Sequence, residues 1–140
     1  MAGVFLFRFD KTGEVIHHPE AKALVSHWES LSTPDCCKLI ERGSNECRRL
    51  GAKTWIVDLT QNPGVPSQEH LVWMATRAVE LAKRNGLLAV INVHGESALA
   101  SMGSKRWTKG ASEGGLTTYD CKSLADALAL AADVASGKAS

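Results

Sequence analysis

The sequence predicts a single α/β domain with a mixed β-sheet, an N-terminal hairpin and about four helices. Short runs of β-prone residues recur along the chain, and segments with apolar residues at helical spacing separate the later runs. A length of 140 residues with 44% hydrophobic residues is enough to bury one core. We therefore treat residues 1–140 as one domain, with residues 1–19 as an N-terminal strand extension and residues 136–140 as a flexible tail.

The N-terminal segment predicts a β-hairpin followed by a third strand. Residues 4–9 are rich in aromatic and β-prone side chains. Residues 10–13, which end in a glycine, are typical of a turn. Residues 14–18 predict the return strand, which Pro19 ends. Residues 23–28 then predict the next strand of the sheet.

Three successive residues indicate where the first helix begins. Thr33 suits the N-cap, Pro34 the first helical position, and Asp35 the positive end of the helix dipole. Gly51 is a typical stop signal. Between them, small or apolar residues recur at helical spacing and predict one buried face: Cys36, Ile40, Gly43, Cys47 and Leu50.

Strand-forming runs and helical patterns alternate through the rest of the chain. The predicted strands are residues 54–59, which should be buried on both faces, residues 87–93 and residues 116–120. The predicted helices are residues 67–84, with Ser67 as N-cap and Asn85-Gly86 as the stop, residues 95–102, and residues 123–134. Residues 103–115 predict a loop. Strands that are joined through helices should be parallel neighbours.

The second helix has a predicted buried face of small and apolar residues. Its members are Leu71, Ala75, Ala78 and Ala82, with Val72 and Val79 beside them. The last helix repeats this pattern with Leu124, Ala127, Leu128, Ala131 and Val134.

Residues 20–135 resemble the STAS family, to which the anti-sigma-factor antagonists belong. The matching stretches are Trp55-Ile56-Val57-Asp58-Leu59, the helix from Ser67, Ala82-Lys83-Arg84-Asn85-Gly86, the strand at 87–93, and Thr118-Tyr119-Asp120 before Leu124-Ala125-Asp126-Ala127-Leu128. The resemblance implies a STAS-like fold and a protein that binds a serine kinase acting as an anti-sigma factor. In that family, phosphorylation of a loop serine breaks the complex.

Ser67 is the candidate phosphorylation site, because counting forward from Asp58-Leu59 places it where the family has its phosphorylated serine. Pro66 stands where the family has Asp, and Gln68-Glu69 where it has Ser-Gly. The alternative reading is that Ser67 is simply a helix cap. The predicted partner-binding surface consists of Asn62, Gly64, Pro66, Ser67, Gln68, Glu69, His70 and Trp73.

Composition and motifs exclude several other function classes. Lys and Arg number 16 against 15 Asp and Glu, so no global charge favours nucleic acid. No apolar run approaches the roughly 20 residues that span a bilayer. The N-terminus lacks the basic region of a signal peptide, so we expect a cytoplasmic protein without membrane insertion. The four cysteines should then be free thiols.

Catalysis, cofactors and metal binding are not expected. Ser67, His70 and Asp58 are close in sequence, but they lack the glycine-rich elbow of hydrolases. Cys36 and Cys37 are adjacent, which does not suit a shared zinc ion. The pair His17-His18 before Pro19 is interpreted as two exposed residues at the edge of a loop and not as a pair of metal ligands.

Two alternative functions remain open at this stage. The first is an oligomeric scaffold that assembles through the N-terminal strand pair or through the helix from Ser67. The second is a small-ligand or lipid-binding domain with an apolar pocket under the loop at 103–115.

Overall fold

The computed structural model describes residues 3–94 and 115–138. The predicted helix at 95–102, nearly all of the predicted loop at 103–115 and the last two residues of the predicted tail lie outside these ranges. No described helix is long and apolar enough to cross a membrane.

One six-stranded mixed sheet organises the described chain, with its strands in sequential order. The strands are β1 (Val4–Phe9), β2 (Gly13–His18), β3 (Ala23–Trp28), β4 (Thr54–Asp58), β5 (Ala89–Val93) and β6 (Thr117–Cys121). β1, β2 and β3 pair antiparallel, whereas β3 to β6 pair parallel. The predicted α/β fold with a mixed sheet and an N-terminal hairpin is confirmed.

Helices cover both faces of this sheet. They are α1 (Cys36–Leu50), α2 (Gln68–Trp73), α3 (Val79–Arg84) and α4 (Leu124–Ser136). A π-helical turn, Met74–Ala78, joins α2 to α3, and a short 3-10 turn, Pro19–Ala21, joins β2 to β3. α1, α2 and α3 pack on one face of the sheet, and α4 packs on the other.

The strand β4 shows how the sheet divides the core. All five of its residues are buried, as predicted. Because side chains alternate along a strand, Trp55 and Val57 enter the core under α1 to α3, whereas Ile56 enters the core under α4. The smaller core holds Ala127 and Ala131 of α4, which lie on the predicted face of that helix.

The prediction for the start of α1 was wrong by two residues. The helix begins at Cys36, and its N-cap, Asp35, makes no side-chain cap bond. The hydroxyl of Thr33 lies 2.5 Å from that of Thr12 and so is engaged in a tertiary bond instead. Gly51 ends the helix in a left-handed conformation with φ of 70°, as the sequence predicts.

The predicted buried face of the second helix was also partly wrong. Met74, Val79, Leu81 and Ala82 are the buried residues, whereas Val72 is 55% exposed. The sequence pattern assumes an unbroken α-helix, and the wider π-helical turn rotates the downstream residues relative to the upstream ones.

The C-terminal part of the chain differs slightly from its predicted boundaries. The hydroxyl of Ser123 caps α4 by accepting a hydrogen bond of 3.1 Å from the N–H of Asp126. Ser136, predicted as the first residue of a flexible tail, is the last residue of α4, and Gly137 caps that helix.

Candidate functional site

The start of α2 presents Ser67 at the protein surface. Ser67 is exposed and has an extended backbone, and its hydroxyl accepts a hydrogen bond of 3.1 Å from the N–H of His70. This is the N-cap geometry that the sequence predicts. Gln68 and Glu69 are also exposed, whereas the preceding Pro66 is buried and anchors the turn.

Leu31 ties the loop before α2 to the loop between β3 and α1. Its N–H donates a hydrogen bond of 3.1 Å to the carbonyl of Pro63. Its carbonyl accepts a hydrogen bond of 3.1 Å from Nδ1 of His70. Leu31 itself is buried in the core. The position of Ser67 is therefore fixed by bonds that reach from the loop after β3 to the first turn of α2.

The remaining members of the predicted partner-binding surface are only partly at the surface. Asn62 is exposed, and Gly64 and His70 are half-buried. Trp73 is half-buried and packs against the core, so it does not offer its whole ring to a partner. Val72 is the exposed apolar side chain of this helix, and sequence reasoning placed it beside the buried face instead.

Carboxylates of both α1 and α2 act on the thiol of Cys37. Burial raises the pKa of the Cys37 thiol, and the carboxylates of Glu69 and Glu41 raise it further. A phosphate on Ser67 would carry charge of the same sign as these carboxylates.

Ser67, His70 and Asp58 do not form the serine–histidine and histidine–aspartate side-chain hydrogen bonds of a hydrolytic relay. Nδ1 of His70 is bonded to Leu31, as described above. Asp58 instead accepts a hydrogen bond of 2.7 Å from Nδ1 of His27, and two from the hydroxyl and N–H of Thr60 at 2.7 and 3.0 Å.

His27 and Asp58 form a polar cluster that sequence reasoning missed. Both lie at the carboxyl end of the parallel strands, where they are partners in register. Burial raises the pKa of Asp58, but the hydrogen bonds from His27 and Thr60 outweigh it and leave this pKa below its usual value. A second pair lies at the same edge of the sheet, where His94 Nε2 is 2.6 Å from Asp120 Oδ1.

The histidines and cysteines of the described residues do not assemble into a metal site. The interpretation of His17-His18 as a loop edge was wrong, because both belong to β2, and His18 is buried with Nδ1 at 3.3 Å from Glu20. Burial raises the pKa of Cys36 and that of Cys47 to about 12. These two thiols are core residues.

Comparisons with protein-family models, with curated proteins and with solved structures find no match to this chain.

Proposed function

We propose that this protein is a non-enzymatic interaction module that docks a protein partner on the surface around Ser67, and that phosphorylation of Ser67 weakens the docking. The observation that carries the proposal is the exposed hydroxyl of Ser67 at a helix start. The resemblance to anti-sigma-factor antagonists supports a serine kinase as the partner class.

The composition of this surface supports docking of a protein. Val72 of α2 has an exposed apolar side chain, and Asn62, Gln68 and Glu69 have exposed polar side chains. Protein interfaces combine an apolar centre with a polar rim in this way.

The rigidity of the site also supports docking. The bonds of Leu31 to Pro63 and His70 hold the turn before α2 on a buried residue of the core. A surface that is already ordered loses less conformational entropy when a partner binds.

The proposed switch acts through charge. A phosphate brings a charge of about −1.5 to −2 to the position of Ser67. Glu69 is an acidic residue in the same first turn of α2, so its carboxylate would repel the phosphate. A partner that fits the neutral hydroxyl would therefore bury an unpaired charge after phosphorylation, which lowers its affinity.

The test compares Ser67 with Ser123, because Ser123 is an exposed N-cap of α4 whose cap bond has the same length. Partners are recovered from source cells by crosslinking, then purified, and their affinity is measured for Ser67→Asp, Ser67→Ala, Ser123→Asp and Ser123→Ala. We expect Ser67→Asp to weaken binding by about tenfold or more, which corresponds to the loss of one charge-sensitive contact. The other three variants should bind as the wild type does.

Phosphosite mapping of the protein from source cells completes this test. A phosphate on Ser67 is expected. Equal effects of Ser67→Asp and Ser123→Asp, or an unchanged affinity of Ser67→Asp, would contradict the proposal.

A homo-oligomeric scaffold is the second candidate, and one observation favours it. β1 is an edge strand, and its side chains Val4 and Phe5 are 54% and 57% exposed. Exposed apolar edge strands pair readily with other strands. In sedimentation experiments a scaffold predicts an oligomer that Phe5→Lys dissociates and that the matched surface variant Val72→Lys leaves intact. A monomer at all concentrations would contradict this candidate.

A further inference from the structure

The end of the sheet at which the parallel strands begin carries two adjacent lysines. Lys22 immediately precedes β3 and Lys53 immediately precedes β4, and these strands pair in register from Ala23 and Thr54 onward. The N–H of Lys53 donates a hydrogen bond of 2.7 Å to the carbonyl of Lys22. The two lysines are therefore neighbours across the sheet, where strands lie about 4.8 Å apart.

Arg48 adds a third cation to this end of the sheet. It lies in the last turn of α1, the helix that leads into β4. The carbonyl of Cys47 accepts a hydrogen bond of 3.0 Å from the N–H of Ala52, so the end of the helix is tied to the residue before Lys53. Arg48 and Lys22 are exposed, and Lys53 is half-buried. We call these three cations the basic edge.

The charges of the basic edge are not neutralised by the described part of the chain. Within residues 3–94 and 115–138, its three cations form no ion pair. Carboxylates on neighbouring segments bind other groups, since Glu46 is paired with Arg49, and Glu20 lies 3.3 Å from Nδ1 of His18. Like charges that are held close together repel each other, and a bound anion would remove this cost.

Two exposed apolar side chains flank the basic edge. Leu88, which is 53% exposed, precedes β5, and its N–H donates a hydrogen bond of 2.8 Å to the carbonyl of Lys53. Val4, which is 54% exposed, begins β1, and β1 runs in the same direction as β3 because both pair antiparallel with β2. In the sheet β1 and β5 are four strands apart, or roughly 19 Å. This end of the sheet therefore has cations in the middle and an apolar side chain on either side.

We propose that the basic edge binds the surface of an anionic lipid bilayer, with Leu88 and Val4 entering the headgroup region. Lys and Arg attract anionic headgroups, and exposed apolar side chains enter the boundary between headgroups and acyl chains. An acidic polypeptide would satisfy the cations alone, whereas a bilayer also buries the two apolar side chains. The protein lies on the bilayer in this arrangement and does not span it.

This proposal goes beyond the docking function and does not depend on Ser67. Ser67 lies in the segment that follows the other end of β4, so the two surfaces are at opposite ends of the parallel strands. Variants of one surface can therefore be tested without changing the other.

The test is cosedimentation of the full chain with vesicles of phosphatidylcholine alone and of phosphatidylcholine mixed with phosphatidylglycerol. We expect binding to the anionic vesicles and at least about tenfold weaker binding to the neutral ones. Raising the NaCl concentration from about 0.1 M to about 0.5 M should release most of the bound protein, because salt screens the attraction.

A matched pair of double variants locates the charge. Lys22→Asn/Lys53→Gln removes two cations of the basic edge, and Lys11→Asn/Lys38→Gln removes two exposed cations at the other end of the sheet. Asparagine suits positions 22 and 11 because both have left-handed backbones, with φ of 49° and 61°. The first variant should bind anionic vesicles about tenfold more weakly or worse, and the control should lose less than about threefold.

A second matched pair tests the apolar contribution. Leu88→Ser should weaken binding to anionic vesicles about threefold or more, because less apolar surface leaves water. Val72→Ser changes an apolar side chain of similar exposure, 55%, on α2 and should bind as the wild type does.

Three results would overturn the proposal: no binding to anionic vesicles, binding that salt does not weaken, or equal affinities of the two double variants. Binding of poly-glutamate that Lys22→Asn/Lys53→Gln abolishes, without binding to vesicles, would assign the basic edge to an acidic polypeptide instead. Circular dichroism establishes that each variant is folded. If Lys22→Asn/Lys53→Gln is not, equal vesicle affinities of Leu88→Ser and Val72→Ser would still contradict the proposed contact.

Discussion

The ring of Trp55 in β4 packs directly on Gly43 in α1, and a Cβ at position 43 would overlap the six-membered part of that ring. The absence of a side chain lets the helix approach the sheet closely at this point. The contact also fixes the orientation of Trp55 in the core under α1 to α3.

Gly43→Ala should therefore destabilise the protein, although alanine favours helices in general. The added methyl must displace the Trp55 ring, and such overpacking costs about 1–3 kcal/mol. Chemical denaturation measures the change. Arg48→Ala, at an exposed position of the same helix, should stay within about 0.5 kcal/mol of the wild type. A Gly43→Ala variant as stable as the wild type would contradict this contact.

Asp58→Asn should destabilise the protein by about 1–3 kcal/mol at neutral pH. An amide cannot accept from His27 and Thr60 as the carboxylate does, because its NH₂ group would face one of these donors. The pKa of Asp58 is lowered in the folded state, so its stabilising effect is present above the unfolded value near 3.8. It is lost as the pH falls through the lower folded value.

Denaturation curves of wild type and Asp58→Asn across this acidic range measure the effect. The stability difference between them should shrink as the pH falls from about 5 to below 3.8. Asp10→Asn, at an exposed position, serves as the control and should lie within about 0.5 kcal/mol of the wild type at neutral pH. A difference that stays constant with pH would show that the ionised carboxylate is not what stabilises the fold.

The four cysteines should differ in their reactivity toward Ellman's reagent at mildly alkaline pH. The thiolate is the reactive form, and burial raises the pKa of Cys36 and Cys47 to about 12. These two thiols should react only after unfolding, whereas the half-buried Cys37 and Cys121 should react slowly in the native protein. Four equally reactive thiols in the native state would contradict the structure.

Glu69→Gln should make Cys37 react faster, because removal of the negative charge lowers the pKa of this thiol. The exposed variant Glu80→Gln on α3 is the matched control and should leave the rate unchanged. Equal rates for wild type and Glu69→Gln would contradict an effect of the Glu69 charge on the Cys37 thiol.

Local patterns in the sequence were sufficient to predict most of the fold. The alternation of strand runs with helical periodicity predicted β3 to β6 and their parallel order. Ser67 and Gly51 were identified because capping depends on residue type and on the adjacent backbone alone.

The features that the sequence did not predict depend on long-range contacts. His70 bonds to a carbonyl 39 positions earlier, and Asp58 bonds to a histidine 31 positions earlier. Thr33 likewise bonds to Thr12 instead of capping α1. The π-helical turn has no residue pattern of its own, so the exposure of Val72 could not be read from helical spacing.

Ser67→Ala and Ser123→Ala should each destabilise the protein by about 1 kcal/mol, because each removes an N-cap bond of the same length. Ser67→Asp should keep nearly all of the wild-type stability, since aspartate caps helices as well as serine does. Chemical denaturation measures the stability of the three variants. A loss of partner affinity can then be distinguished from a loss of folding. If Ser67→Asp loses partner affinity while it unfolds at the wild-type midpoint, then the loss reports charge at the docking surface. If Ser67→Asp unfolds more easily than Ser67→Ala, the charge disturbs the start of α2 itself, and a loss of affinity can no longer be assigned to the switch.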